Sequence, residues 1–464
     1  MACDTDRRWG WGEYLVIRRL ITLSAVGVLV WLLLRMIEIS PSSAPAESTF
    51  MLGFALLSAA LLGEIVEHLR LPRITGYILA GILFGPFAAN LLSARVLEPL
   101  SALNDMAFAF IGLAAGAELK LATLKERWKS IVLLIVCTAT VVMVGVGGFF
   151  FVTASWKSFF GDLPPLQILA VAGMVGVIAA ARSPSSAIAI IDETKADGPF
   201  TETILGVSVA MDIVVICLFA VATAVAGLAF APEQGLDLVF AFEVTGAIGV
   251  SIALGVLLGV IMGLYLKRKG PQVSLVIVGL CFLVYRLSEI AGHYLEQNQG
   301  LEIHLEPLLI CAAAGFTIQN WSHQGPRLLS AMDWVALPVY VVFFTMAGAR
   351  LDLGALATSW GLALAIAGFR VVMIMLGTRL ATSLAGDPEP FRRYCWLGFV
   401  TQAGLSLALI SQIENRFPDW GNGLATTLVA VIAINQLIGP AAFKMALEKV
   451  GEAQRGSPPW KGTS

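Results

Sequence analysis

The stretch "AARSPSSAIAII" (180–191) puts an arginine, a proline and three serines in the middle of a long apolar run. Proline has no amide N–H and its ring collides with the preceding turn, so a helix breaks there. In water such a break is an ordinary turn. In hydrocarbon no water satisfies the freed backbone groups. Irregular backbone at membrane depth survives only when protein or a water-filled cavity covers it. Whether the surroundings are membrane spans therefore decides the fold.

Composition answers that they are. The chain has 464 residues, 58% hydrophobic and 13% charged, with a mean hydropathy of +0.83. Soluble domains are about one quarter charged, and this chain has too few charges to cover a soluble surface. Apolar runs of roughly 20 residues, the length that crosses a bilayer, recur from end to end. The reading is an all-α polytopic membrane protein in contact with the lipid bilayer. A net charge of −2 argues against a nucleic-acid partner. Cys3, Cys137, Cys217, Cys281, Cys311 and Cys395 have no metal or redox spacing. Neither a P-loop nor GxGxxG occurs, so no cofactor and no enzyme activity are expected.

Gly, Pro and charged breaks divide the chain into fourteen segments. They run over 15–37, 49–69, 72–88, 100–117, 129–153, 165–191, 200–228, 237–266, 272–291, 301–320, 331–349, 355–384, 391–414 and 422–447. With the N-terminus inside, 21 Lys and Arg residues fall on the inner side and only Arg95, Lys157, Arg350 and Arg416 on the outer. The positive-inside rule then places both termini in the cytoplasm. The first segment is read as an extra helix; its "SSAPA" also fits a signal-peptide cleavage site.

"GAELKLATLKERW" (116–128) and "GARLDLGALATSW" (348–360) agree at six of thirteen positions without a gap. The two lie seven segments apart and so run in opposite directions, which describes an inverted-topology repeat. The expected division is an N-terminal tail with one helix (1–48), a first repeat (49–230), a linker helix (231–270), a second repeat (271–450) and a short tail (451–464). The same pairing sets the break at Ser183, Ser185 and Ser186 against Thr401-Gln402-Ala403-Gly404, as two crossed discontinuous helices. In such folds the substrate binds near the midplane, where interrupted helices meet.

Ionisable residues inside spans are costly and usually functional. Asp212 lies about twelve residues into its segment, roughly 18 Å deep at 1.5 Å per residue, with no basic residue one turn away. Taking a carboxylate out of water disfavours its charged form, so Asp212 is read as a group that binds either a proton or a monovalent cation. Ser208, one turn earlier, offers a further oxygen. Arg370 does not titrate in this setting. It is read as a brace for the broken helices, or as a counter-charge to Asp212. Arg182 is expected to cap the carbonyls of the outer half-helix, or else to reach Asp212 and occupy the cation's place. Arg286, Glu289, Glu302, His304 and Glu306 are read together as an external salt-bridge cluster. Glu64, Glu67, Asp105 and Glu243 are assigned no chemistry. Asn435 is expected to seal the helix crossing.

The stretches "LPRITGYILAGILFGP" (71–86), "FIGLAAGAELKL" (110–121), "ARSPSSAIAI" (181–190), "EPLLICAAAGF" (306–316) and "VVFFTMAGARLDL" (341–353) resemble the monovalent cation:proton antiporter superfamily. The similarity runs over about 50–447 and is nearest to its potassium-efflux-type branch. The resemblance implies a homodimer in a bacterial inner membrane, with a scaffold domain, a mobile six-helix core and elevator-like alternating access. It also implies that Asp212 binds the ion, that Arg370 is the core basic residue, and that Ser183 to Ser186 and Thr401 to Gly404 are the unwound stretches. Electrogenic members carry two adjacent acids where this chain has Met211-Asp212, which favours one-for-one, electroneutral exchange. The nucleotide-binding tail of many potassium-efflux relatives is not expected here. Sodium and potassium both stay open as the cation. An organic-anion symporter of similar fold and a non-transporting membrane sensor are the competing readings.

Overall fold

The computed structural model of the chain describes residues 44–69, 71–93, 97, 101–156, 163–230, 238–268, 272–299, 305–351, 353–402 and 404–453. The first expected span (15–37), Arg95, Lys157, Glu302, His304, Ala403 and most of both tails lie outside these residues, as do the side chains of Asp105 and Glu243. Every regular element among the described residues is helical. Each expected segment from the second onward appears as a helix or as a helix with an interruption. Among them, eight are long and apolar enough to cross a membrane. The protein is an integral membrane protein.

Contacts divide the described residues into two compact units. One holds those up to Ala107 together with Val335–Leu351; the other holds Phe108–Trp334 and those from Asp352 onward. This partition groups helices by contact, whereas the repeat division groups them by order along the chain.

The first unit contains α1 (Ala44–His68), α2 (Arg73–Phe84) and the second half of α12 (Gly325–Ala349). Arg73 closes the turn between α1 and α2 by donating from Nε to Glu67 Oε2 at 2.9 Å. The α2–α12 seam is so close that a Cβ at Gly81 would strike the Thr345 carbonyl, and one at Gly348 the Ile78 carbonyl. Small residues let helix backbones approach in this way when lipid supplies no hydrophobic drive.

The second unit begins within α3 (Ser101–Glu118) and continues through α4 (Leu121–Glu126), α5 (Trp128–Trp156), α6 (Pro165–Ala180), α7 (Pro184–Thr194) and α8 (Pro199–Phe230). It goes on with α9 (Leu238–Lys267), α10 (Val273–Gln299) and α11 (Pro307–Thr317), which ends in a π turn at Ile318–Ser322. After the start of α12 come α13 (Leu353–Ala385), α14 (Glu389–Tyr394), a 3-10 turn at Cys395–Phe399, α15 (Gly404–Arg416) and α16 (Pro418–Val450). Helix α5 packs on α6 and α13, α13 on α16, and α8 on α6. A second glycine seam joins α3 to α11. Cβ atoms at Gly112 and Gly116 would meet the Leu308 and Ala312 carbonyls, and one at Gly315 the Leu113 carbonyl. Two of the motif stretches, 110–121 and 306–316, are thus the two sides of one contact.

On the face where α8 begins, the Glu452 carboxylate accepts from the Phe200 and Thr201 amides at 2.8 and 2.7 Å. An anion there complements the positive end of the helix dipole. The start of the helix that carries Asp212 is therefore tied to the end of α16.

Candidate functional site

Both expected interruptions are present. Residues 181–183 separate α6 from α7, and 400–402 follow the 3-10 turn ahead of α15. The serines finish the first break locally. Ser183 is the N-cap of α7, its Oγ accepting from the Ser186 amide at 3.1 Å, and Pro184 occupies the first helical position. Ser183 Oγ also donates to Ser186 Oγ at 2.8 Å and lies 3.0 Å from Ser185 Oγ. Ser, then Pro, is the combination that best starts a helix. It explains why these residue types follow the break.

The carbonyls left free are held from α13. Arg370 is fully buried. Its Nε donates to Ala179 O at 2.7 Å, its Nη2 to Ala181 O at 3.0 Å and its Nη1 to Val400 O at 2.7 Å. Each helix C-terminus carries the equivalent of about half a negative charge, so one guanidinium offsets two such ends. Gln402 adds a link across the breaks, donating from Nε2 to Ile178 O at 2.9 Å and accepting from Asn435 Nδ2 at 2.8 Å. Thr401 is packed against Gly439, where a Cβ would lie 2.7 Å from the Thr401 backbone. The interrupted helices meet at this point, and Arg370, Gln402 and Asn435 hold them there.

Arg182 does not cap the outer half-helix as expected; that role falls to Arg370. The extended backbone at 181–183 turns the Arg182 side chain towards α5. There its Nη2 donates to Thr138 Oγ1 at 2.6 Å, and its guanidinium stacks 3.9 Å above the Phe399 ring. Its Nε and Nη1 have no partner among the described residues, although the side chain is buried.

Asp212 lies in the middle of α8, 6% exposed, and its Oδ1 has no hydrogen-bond partner among the described residues. Neither Arg370 nor Arg182 pairs with it. The carboxylate instead lines a cavity of about 70 Å³ together with Phe108 of α3, Ile216 of α8, Glu306 and Leu308 at the start of α11, and Leu405 of α15. A single water needs roughly 10–15 Å³ of such space, so the cavity has room for a partly hydrated ion. Ser208 donates to Ile204 O of its own helix at 2.8 Å and does not line the cavity. Neither do Ser183, Ser185, Ser186, Thr401 and Gln402. Of the residues read as ion-binding, only Asp212 faces the cavity; the others build or flank the crossing.

Of the expected external cluster, Glu302 and His304 lie outside the described residues, and the rest divides in two. Arg286 pairs within its own helix with Glu289, and Glu306 lies in the Asp212 cavity instead. A usable signal was present: the acid directly precedes a proline and an apolar helix, with no basic residue in the following turn.

Two interrupted helices pinned by a buried arginine place the chain among the polytopic membrane proteins built on discontinuous helices. The family model described as "Sodium/hydrogen exchanger, transmembrane" matches residues 53–449, and the chain belongs to that family. It is 28% identical to the probable Na(+)/H(+) antiporter 3 of Methanocaldococcus jannaschii over 37% of this chain and 40% of the relative. It is also 26% identical to the iron transporter MagA of Paramagnetospirillum magneticum, over 34% of each. The alignments thus span about two fifths and one third of these curated relatives. The structure of the sodium proton antiporter MjNhaP1 from M. jannaschii at pH 8 has a similar fold, with a TM-score of 0.64 and 19% identity. That match covers 88% of this chain and 97% of the other.

Proposed function

We propose that this chain is a secondary transporter exchanging a monovalent cation, Na⁺ or K⁺, for H⁺, with Asp212 as the group that binds each in turn. One observation carries the reading: a buried carboxylate oxygen without a partner among the described residues, beside a cavity large enough for an ion. A structural aspartate at this depth would be paired. One exchanging carboxylate gives one proton for one cation, and the fixed charge of Arg370 adds no second proton. Alternating access in the elevator manner, an inverted repeat, a homodimeric assembly and cytoplasmic termini belong to the same reading. The similarity of the chain to proteins named as sodium proton antiporters supports it. An organic-anion symporter fits less well, because acids rather than guanidinium groups line the cavity.

The test is flux in proteoliposomes. An imposed pH gradient should collapse on addition of Na⁺ or K⁺, and Asp212→Asn should abolish that collapse while eluting as a folded protein. Exchange by Asp212→Asn at the unsubstituted rate would refute the reading.

A further inference from the structure

The Asp212 cavity holds a second acid that the exchange reading does not use. Glu306 directly precedes α11 and lines the same cavity. Its side chain makes no capping bond to the helix it precedes. No cation is paired with it among the described residues, since Arg286 is taken by Glu289. The other lining residues are apolar, so charges in the cavity act on one another more strongly than they would in water.

The two acids differ in what surrounds them. Asp212 sits mid-helix, far from either end of α8. Glu306 sits at the N-terminal end of an eleven-residue helix, where the dipole favours a negative charge. Its position is also fixed. The Glu306 amide donates to Ser251 Oγ at 3.2 Å. The first turns of α11 are gripped on both sides, where Gly112 of α3 meets Leu308 and Gly255 of α9 meets Ile310.

We propose that Glu306 is the second carboxylate of this site, a stationary negative charge that holds the incoming monovalent cation while Asp212 exchanges it for a proton. The proposal rests on the exchange reading above. Charge balance is consistent with it. With Glu306 ionised throughout, the cation-bound and the proton-bound cavity both carry one net negative charge, so one-for-one exchange stays electroneutral. The empty cavity with both acids ionised carries two, which makes an unloaded transition costly.

The test uses Na⁺ as the probe in proteoliposomes containing the full chain. Glu306→Gln should raise the KM for Na⁺ about tenfold, with a smaller change in maximal rate. Glu306→Asp should recover most of that loss, and the H⁺:Na⁺ ratio at clamped voltage should remain one in both. An unchanged KM in Glu306→Gln, with Asp212→Asn silent, overturns the role of Glu306 and leaves the exchange reading standing. Loss of all exchange in both Glu306 variants, despite normal elution, overturns the stationary role. So does a change in the H⁺:Na⁺ ratio. Normal exchange by Asp212→Asn brings down both proposals.

Discussion

Two buried polar regions of the second unit differ in how completely their groups are satisfied. At the helix crossing, the guanidinium of Arg370 meets three carbonyls, and Gln402 and Asn435 complete each other. Beside the cavity that it lines, Asp212 has a buried oxygen with no partner among the described residues. A buried polar group left alone costs far more than one that is paired. Arg370, Gln402 and Asn435 are thus satisfied by one another and by the helix-end carbonyls. The cavity is the place where an occupant would lower the free energy.

That contrast can be broken by substitution, and the largest effect belongs to Arg370. Arg370→Met removes three charge-assisted bonds and leaves helix-end carbonyls buried and unpaired. Each such bond contributes roughly 1.5–3 kcal/mol, so a loss of about 4 kcal/mol or more is expected. It should read as a large drop in the thermal unfolding midpoint in detergent. Gln402→Leu comes next. It leaves Asn435 Nδ2 without its acceptor, while Ile178 O keeps its bond from the Ala181 amide, and should cost about 1–3 kcal/mol in the same assay.

Arg182→Met should give the smallest change, within about 1 kcal/mol. It removes one hydrogen bond and a ring contact, but also a buried guanidinium with two nitrogens unpaired among the described residues. Replacing an incompletely satisfied buried charge with a packed apolar side chain is often neutral or stabilising. Equal losses in Arg370→Met and Arg182→Met would remove the distinction between a saturated arginine and an unsaturated one.

Much of this architecture was legible in the sequence. The break at 181–183 announced itself through Ser183, Pro184 and the two serines after them, because a serine followed by a proline is the residue order that caps and starts a new helix. One of the six positions shared by 116–128 and 348–360 has a physical cause. Gly116 and Gly348 each sit where a Cβ would strike a carbonyl of a neighbouring helix, so both positions exclude larger residues. The depth of Asp212 along α8 could be counted directly. What could not be read was direction. Position along a helix says how deep a side chain lies, not which neighbour it meets. Bracing of the broken helices was expected of Arg370 and capping of the outer half-helix of Arg182; the carbonyls are held by Arg370, from α13, while Arg182 turns to Thr138 of α5. Glu306 was grouped with Arg286 on depth alone, because both lie towards the outer ends of successive segments, and depth does not say which neighbour a side chain meets.

The central claim is that one carboxylate is shared by a proton and a metal ion. Proton release on cation binding tests it without any need for transport. Addition of Na⁺ or K⁺ to the purified protein in weakly buffered detergent solution, near the pH at which Asp212 is protonated, should release about one proton per chain. The release should vanish in Asp212→Asn. Cation binding without proton release, or equal release from Asp212→Asn, would contradict the account.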